Sequence, residues 1–162
     1  MRTENRITRQ LAALSHLDEA ERAAAQTAAM NQLVPFLNTV GTRFDVLRQD
    51  EVRVSVDNRP QVQNHIQSVH ACVTALLAET ATGFVTMLNT PDDKLIVCKS
   101  MNIRYTRRSS GNLYAVAKLS EARAAVIAAE ERGNMTVPCR VYDEDGEQPV
   151  EIEMTWAWLP RG

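Results

Sequence analysis

The chain has 162 residues and a mass of 18.1 kDa, with 44% hydrophobic and 23% charged residues, the profile of one ordinary globular domain that can bury its own core. Its 18 basic and 20 acidic residues leave a net charge of −2, without the basic excess of a nucleic-acid binder or a polybasic membrane anchor. Cys72, Cys98 and Cys139 fit neither a disulfide framework nor a zinc motif. With a polar start and no apolar run long enough for a membrane span, they point to a cytoplasmic protein.

Residues 1–40 are expected to form a helical extension and residues 41–162 the main domain. Leu11, Leu14, Leu17 and the alanine-rich stretch 20–29 favour helix, Asp18 and Glu21 read as a capping box, and Pro35 and Gly41 close the region. From Thr42 the period changes to two. Val52, Val54 and Val56 alternate with Arg53, Ser55 and Asp57, and Phe44–Leu47 is expected to pair with them across a turn at 49–51. Residues 69–87 then read as a helix. Val69, Cys72, Val73, Leu76, Leu77 and Thr80 form a wide apolar stripe expected to pack on a sheet.

Four more strands are expected. One runs from about Leu95 to Tyr105, and the next, 113–119, follows a turn at 109–112. An alanine-rich helix is predicted over 121–132, ended by Gly133. Val137, Cys139 and Val141 alternate, 143–146 is a hairpin turn, and Val150, Ile152, Met154, Trp156 and Trp158 line one face of the last strand. The order gives an α+β architecture: an antiparallel sheet wrapped around a long central helix, with extra helices at the N-terminus.

Chemistry-bearing residues concentrate between Asn64 and Glu79. Glu79 lies three residues after Leu76 and seven after Cys72, so it borders the apolar stripe. A carboxylate there either reaches water at the stripe edge or is partly buried, with a raised pKa suited to a general base. The N–H groups of Ala71 and Cys72 fall in the first turn, where the helix dipole favours an oxyanion. His65 and His70 are candidates for orientation or proton transfer, or for surface and capping roles. Asn64 is suited to hydrogen-bonding a carbonyl or water, or to forming an Asx turn. Cys72 reads as a small core residue more readily than as a nucleophile.

These residues resemble the motif of hotdog-fold acyl-CoA thioesterases of the phenylacetate-degradation type. In that motif an asparagine precedes a histidine by six positions, two glycines follow the histidine, and an acidic residue stands nine positions after it. Asn64, His70 and Glu79 keep this spacing, whereas Ala71 and Cys72 replace the glycines and glutamate replaces the usual aspartate. Pro35-Phe36, Ser68–Ala71 and the inserted helix 121–132 bring the chain nearer to a thioesterase-like branch of hotdog proteins; the resemblance spans about residues 33–159.

The resemblance implies a hotdog fold and hydrolysis of an acyl-CoA thioester. Glu79 would be base or nucleophile, the N–H groups of Ala71 and Cys72 would hold the oxyanion, Asn64 would orient water or the carbonyl, and His70 would position the loop. Coenzyme A would enter as part of the substrate, with no other cofactor and no metal. Arg107 and Arg108, near Arg104, would bind its phosphates, with His65 beside the substrate; a solvated, charged strand edge is the plainer reading of these arginines. Loop and carboxylate would come from different subunits of a homodimer or a dimer of dimers. Two alternatives stand beside this: a non-catalytic hotdog protein that binds an acyl or aromatic ligand, and a 3-hydroxyacyl-thioester dehydratase. The second rests on the fourteen-residue step from His65 to Glu79, but Ile66-Gln67 departs from that family's pattern.

Overall fold

The computed structural model describes residues 2–162. Asn5 caps α1 (Arg6–Ala12) reciprocally: its side chain accepts the Thr8 N–H, and its own N–H donates to the Thr8 hydroxyl. Asp18 caps α2 (Glu19–Leu33) through the Glu21 N–H at 2.9 Å. Pro35 opens a third helix, α3 (Pro35–Val40), within the stretch expected to hold two. It ends at Gly41, whose φ of 78° is a left-handed cap. Ile7, Met30, Leu37 and Val40 are buried in the same core as the sheet. The Asn5 side chain also donates to the carbonyls of Met87 and Thr90, which ties the start of the chain to the far end of the central helix.

The remaining elements are β1 (Arg43–Leu47), β2 (Glu51–Val56), α4 (Ala71–Met87), β3 (Lys94–Tyr105), β4 (Leu113–Lys118), α5 (Glu121–Ala129), β5 (Gly133–Val137), β6 (Cys139–Tyr142) and β7 (Val150–Pro160). All ladders are antiparallel, in the orders β1-β2-β4-β6 and β3-β7-β5. Strands β5 and β6 are separated only by Pro138, which has no N–H for a ladder. The first pairs with β7 and the second with β4, so the two sheets join into one curved surface.

That surface wraps α4. Val52, Val54 and Val56, then Leu113, Ala115 and Ala117, then Met154, Trp156 and Trp158 are buried on its concave side against Leu77, Ala78, Ala81, Phe84 and Val85. Gly83 allows the closest approach. A Cβ there would stand 2.7 Å from the Trp156 ring, whose Nε1 donates to the Thr82 hydroxyl at 2.8 Å. This is the hotdog arrangement expected from the sequence, a long helix in an antiparallel sheet.

Three local expectations are corrected. The central helix starts at Ala71 rather than Val69, because the His70 N–H pairs with the Val62 carbonyl and His70 serves as the cap. Helix α5 stops at Ala129 rather than Arg132. The buried Lys94 ammonium takes the carbonyls of Ile127, Ala128 and Glu130 at 2.8, 2.9 and 2.8 Å, satisfying acceptors that another turn would have used. Gly133 is therefore no helix cap but the first residue of β5, where the Trp158 ring occupies the place of a side chain. The packed stripe of α4 is also rotated. Thr74, Leu77, Ala78 and Ala81 meet the sheet, while Val73 and Leu76 are half-buried and Cys72, expected in the core, is exposed. No helix among the described residues is long and apolar enough to cross a membrane.

Candidate active site at the start and open face of the central helix

The loop before α4 is held by its own side chains. The Asn64 carboxamide oxygen accepts the N–H groups of Ile66 and Ser68 at 3.0 and 3.1 Å, an Asx turn that lets Gln67 adopt φ 61°. Arg108 braces the loop from outside. Its guanidinium donates to the Ile66 carbonyl at 2.9 Å and to the Ser68 hydroxyl at 3.2 Å. Arg107 stands beside it, ion-paired to Glu147 at 3.3 Å.

The helix N-terminus is partly satisfied. His70 Nδ1 accepts the Cys72 N–H at 3.0 Å, which places the proton of a neutral ring on Nε2. The N–H groups of Val73 and Thr74 pair with the His70 carbonyl. Among the described residues the Ala71 N–H has no partner. The Tyr105 hydroxyl donates to the Ala71 carbonyl at 2.6 Å, so the end of β3 is fastened to the first helical residue. A cleft of about 120 Å³ lies here, lined in part by Asn64, Ala71, Tyr105, Arg107 and Arg108.

Glu79 lies two turns further along, on the face of α4 turned away from the buried one. Cys72, Leu76 and Glu79 follow each other at steps of four and three residues and none is fully buried. The inner side of β3 faces the same space: Cys98 is exposed, Met101 is 54% exposed and Tyr105 49%. Burial pushes the Glu79 carboxyl above its ordinary value, and no hydrogen bond or ion pair reaches that carboxylate among the described residues. The Cys98 thiol is pushed up by partial desolvation and then by the negative charge of Glu79.

The structure thus brings Asn64, Ala71, Arg107 and Arg108 to one cleft, and leaves His65 exposed on the loop with His70 and Cys72 outside the cleft lining. Glu79 is not part of that cleft. Eight residues at 1.5 Å rise put it about 12 Å from Ala71 along the same helix. Two expected roles change. The Cys72 N–H is taken by His70, so the pair of oxyanion donors is reduced to the Ala71 N–H. The Asn64 oxygen is used within its own turn. Tyr105 and Cys98 escaped the sequence reading. The signal for Tyr105 was present as an aromatic residue closing an alternating strand next to two arginines. Among the described residues no group of three His, Cys, Asp or Glu side chains is placed to hold a metal ion.

Residues 22–159 match the family described as a domain of unknown function, DUF4442. The chain belongs to this family. No curated protein matches it significantly. Solved structures share its fold. A structural-genomics protein, APC5556, superposes with a TM-score of 0.73 at 23% identity, over 96% of this chain and 99% of that one. The Pseudomonas aeruginosa protein PA5026, described as of unknown function and a probable thioesterase, gives 0.75 at 21% identity over 83% and 93%. The Haemophilus influenzae thioesterase HI1161 gives 0.65 at 16% identity over 83% and 90%. At these identities the likeness establishes the hotdog fold.

Proposed function

We propose that the chain hydrolyses an acyl thioester, with Glu79 as the base that activates water or as the nucleophile that attacks the carbonyl. The observation that carries this reading is the Glu79 carboxylate itself: partly buried, without a partner, raised in pKa by desolvation, and turned toward an open apolar face. A structural carboxylate at such a place would be expected to pair, because burial without compensation costs free energy. Two similar folds described as thioesterases support the choice of reaction.

In this reading the free Ala71 N–H holds the developing oxyanion, with the positive end of α4 behind it. His70 caps and Asn64 shapes that helix end; both position it rather than touch substrate. Arg107 and Arg108 add positive charge beside the cleft, suited to the phosphates of coenzyme A as part of the substrate. Because Ala71 and Glu79 of one chain are too far apart to serve one carbonyl, the site is completed by a second copy.

One observation favours a second reading, a protein that binds an acyl or aromatic ligand without turnover. The oxyanion site has one free donor where the resembling motif offers two backbone N–H groups. A thiol-release assay over a panel of acyl-CoA thioesters separates the two. Turnover that falls at least about a hundredfold in Glu79→Gln supports hydrolysis, the range expected for losing a general base. Unchanged turnover in that variant rejects Glu79 as the base, and saturable ligand binding without thiol release supports the second reading.

A further inference from the structure

A second cavity lies on the opposite side of the sheet from Glu79. It is a groove of about 810 Å³ on the convex face, a size that suits a small organic ligand. Its origin is the break at Pro138. The β5–β7 ladder ends at Val137↔Met154, and β6 then pairs with β4 alone. The sheet is therefore unsealed between β6 and the first residues of β7, and the groove follows that seam, lined by Arg140 and Tyr142 on one side and Ile152 and Glu153 on the other.

The lining is cationic in a chain that is net acidic. Arg53, Lys118, Arg123 and Arg140 face two carboxylates, Glu51 and Glu153, so cations exceed anions by two here while the whole chain carries −2. Internal pairing consumes part of this charge. Lys118 lies 3.2 Å from Glu51, and Arg123 donates to the Thr136 carbonyl. Arg140 has no ion pair or side-chain hydrogen bond among the described residues, and Arg53 is only 3.8 Å from Glu51 in a loose contact. These two arginines belong to one cross-strand row, Arg53–Val116–Arg140. Two strand spacings, about 9.6 Å, separate their backbones, a span that two arginine side chains can close over one anion above Val116.

The next row supplies flat rings. Tyr114 and Tyr142 stack with centroids 5.2 Å apart at 22°, and the Arg53 guanidinium lies 5.4 Å from the Tyr114 centroid. Strand order β2-β4-β6 puts Arg53 and Tyr142 on opposite sides of Tyr114, and Tyr142, half-buried on the far strand, lines the groove. From this juxtaposition we infer that the convex groove binds a mononucleotide-class ligand, its phosphate between Arg53 and Arg140 and its base against Tyr142. The site is independent of the thioester reading, since it shares no residue with the Glu79 face.

The test is titration of the full chain with AMP, adenosine and inorganic phosphate, followed by amide chemical shifts and by calorimetry. AMP is expected to shift the Arg140 and Tyr142 amides with a Kd below roughly 1 mM, and adenosine and phosphate to bind at least about tenfold more weakly. An Arg53→Ala/Arg140→Ala variant with an unchanged Tm is expected to lose AMP affinity by about tenfold or more. Tyr142→Leu is expected to weaken AMP but not phosphate. No shift at these amides, equal binding of AMP and phosphate, or undiminished AMP binding in the double variant overturns the proposal. So does a change in sedimenting mass of the double variant together with absent AMP binding, which would assign the groove to a second copy of the chain.

Discussion

Glu79 concentrates both the chemistry and a stability cost. Its carboxyl is raised by desolvation, so the folded chain holds that proton more tightly than the unfolded chain. Below the ordinary carboxylate range, at about pH 3 and lower, both forms are protonated and ionisation costs nothing. As pH rises through the interval up to the raised folded value, the unfolded chain ionises first and stability falls; above that value the full cost remains. Glu79→Gln removes the charge and keeps the shape. Its Tm is therefore expected to exceed that of the parent at about pH 8, with the gap closing as pH is lowered toward about 3. Thermal melts of both proteins across that range check it. A variant less stable than the parent at the alkaline end would mean that the carboxylate is compensated. That Glu79 stands among apolar residues of the helix was legible in the sequence, but the face it takes, turned from the packed one, was not. Nor was the fate of Asn64 and His70, because capping and Asx-turn bonds use the same atoms as substrate binding, and only geometry shows which is made.

At the scale of elements, the contact between α4 and the sheet turns on one missing side chain. Gly83 lies mid-helix, where alanine would raise helix propensity by up to about 1 kcal/mol. Yet an added Cβ would meet the Trp156 ring at 2.7 Å. That indole is buried and pinned by its bond to Thr82, so it has no free direction to move. Overpacking of this kind costs about 1–3 kcal/mol and outweighs the propensity gain. Gly83→Ala is expected to lower stability in a urea titration, whereas a variant as stable as the parent would show that the helix can lift away. Alternation disclosed β2, β4 and β7 because one face of each is largely buried. Helix ends were less visible. Helix α5 ends where Lys94, more than thirty residues upstream, reaches its carbonyls, and no local pattern encodes a partner that distant. The rotation of the α4 stripe escaped for a related reason: a wide apolar arc does not show which part of it meets the sheet.

At the scale of the whole molecule, β3 is a free edge. It is a twelve-residue strand at the end of its sheet, with Met101 and Tyr105 exposed on its inner side beside the Cys72–Leu76–Glu79 face of α4. A long edge with apolar side chains invites pairing with another strand. Antiparallel pairing of β3 with its own copy would continue the sheet, cover both Met101 side chains and bring the Ala71 end of one chain toward Glu79 of the other. The proposed two-chain site then makes activity depend on assembly. Met101→Lys places a charge at the centre of that contact and is expected to sediment as a single chain of 18.1 kDa and to lose thioester turnover. Met101→Leu keeps the apolar volume and is expected to retain both the assembly and the rate. Sedimentation velocity and thiol release on the same samples decide the matter. A Met101→Lys protein that is monomeric yet fully active would confine the chemistry to one chain, and a parent protein that is itself monomeric at working concentration would remove the shared site altogether.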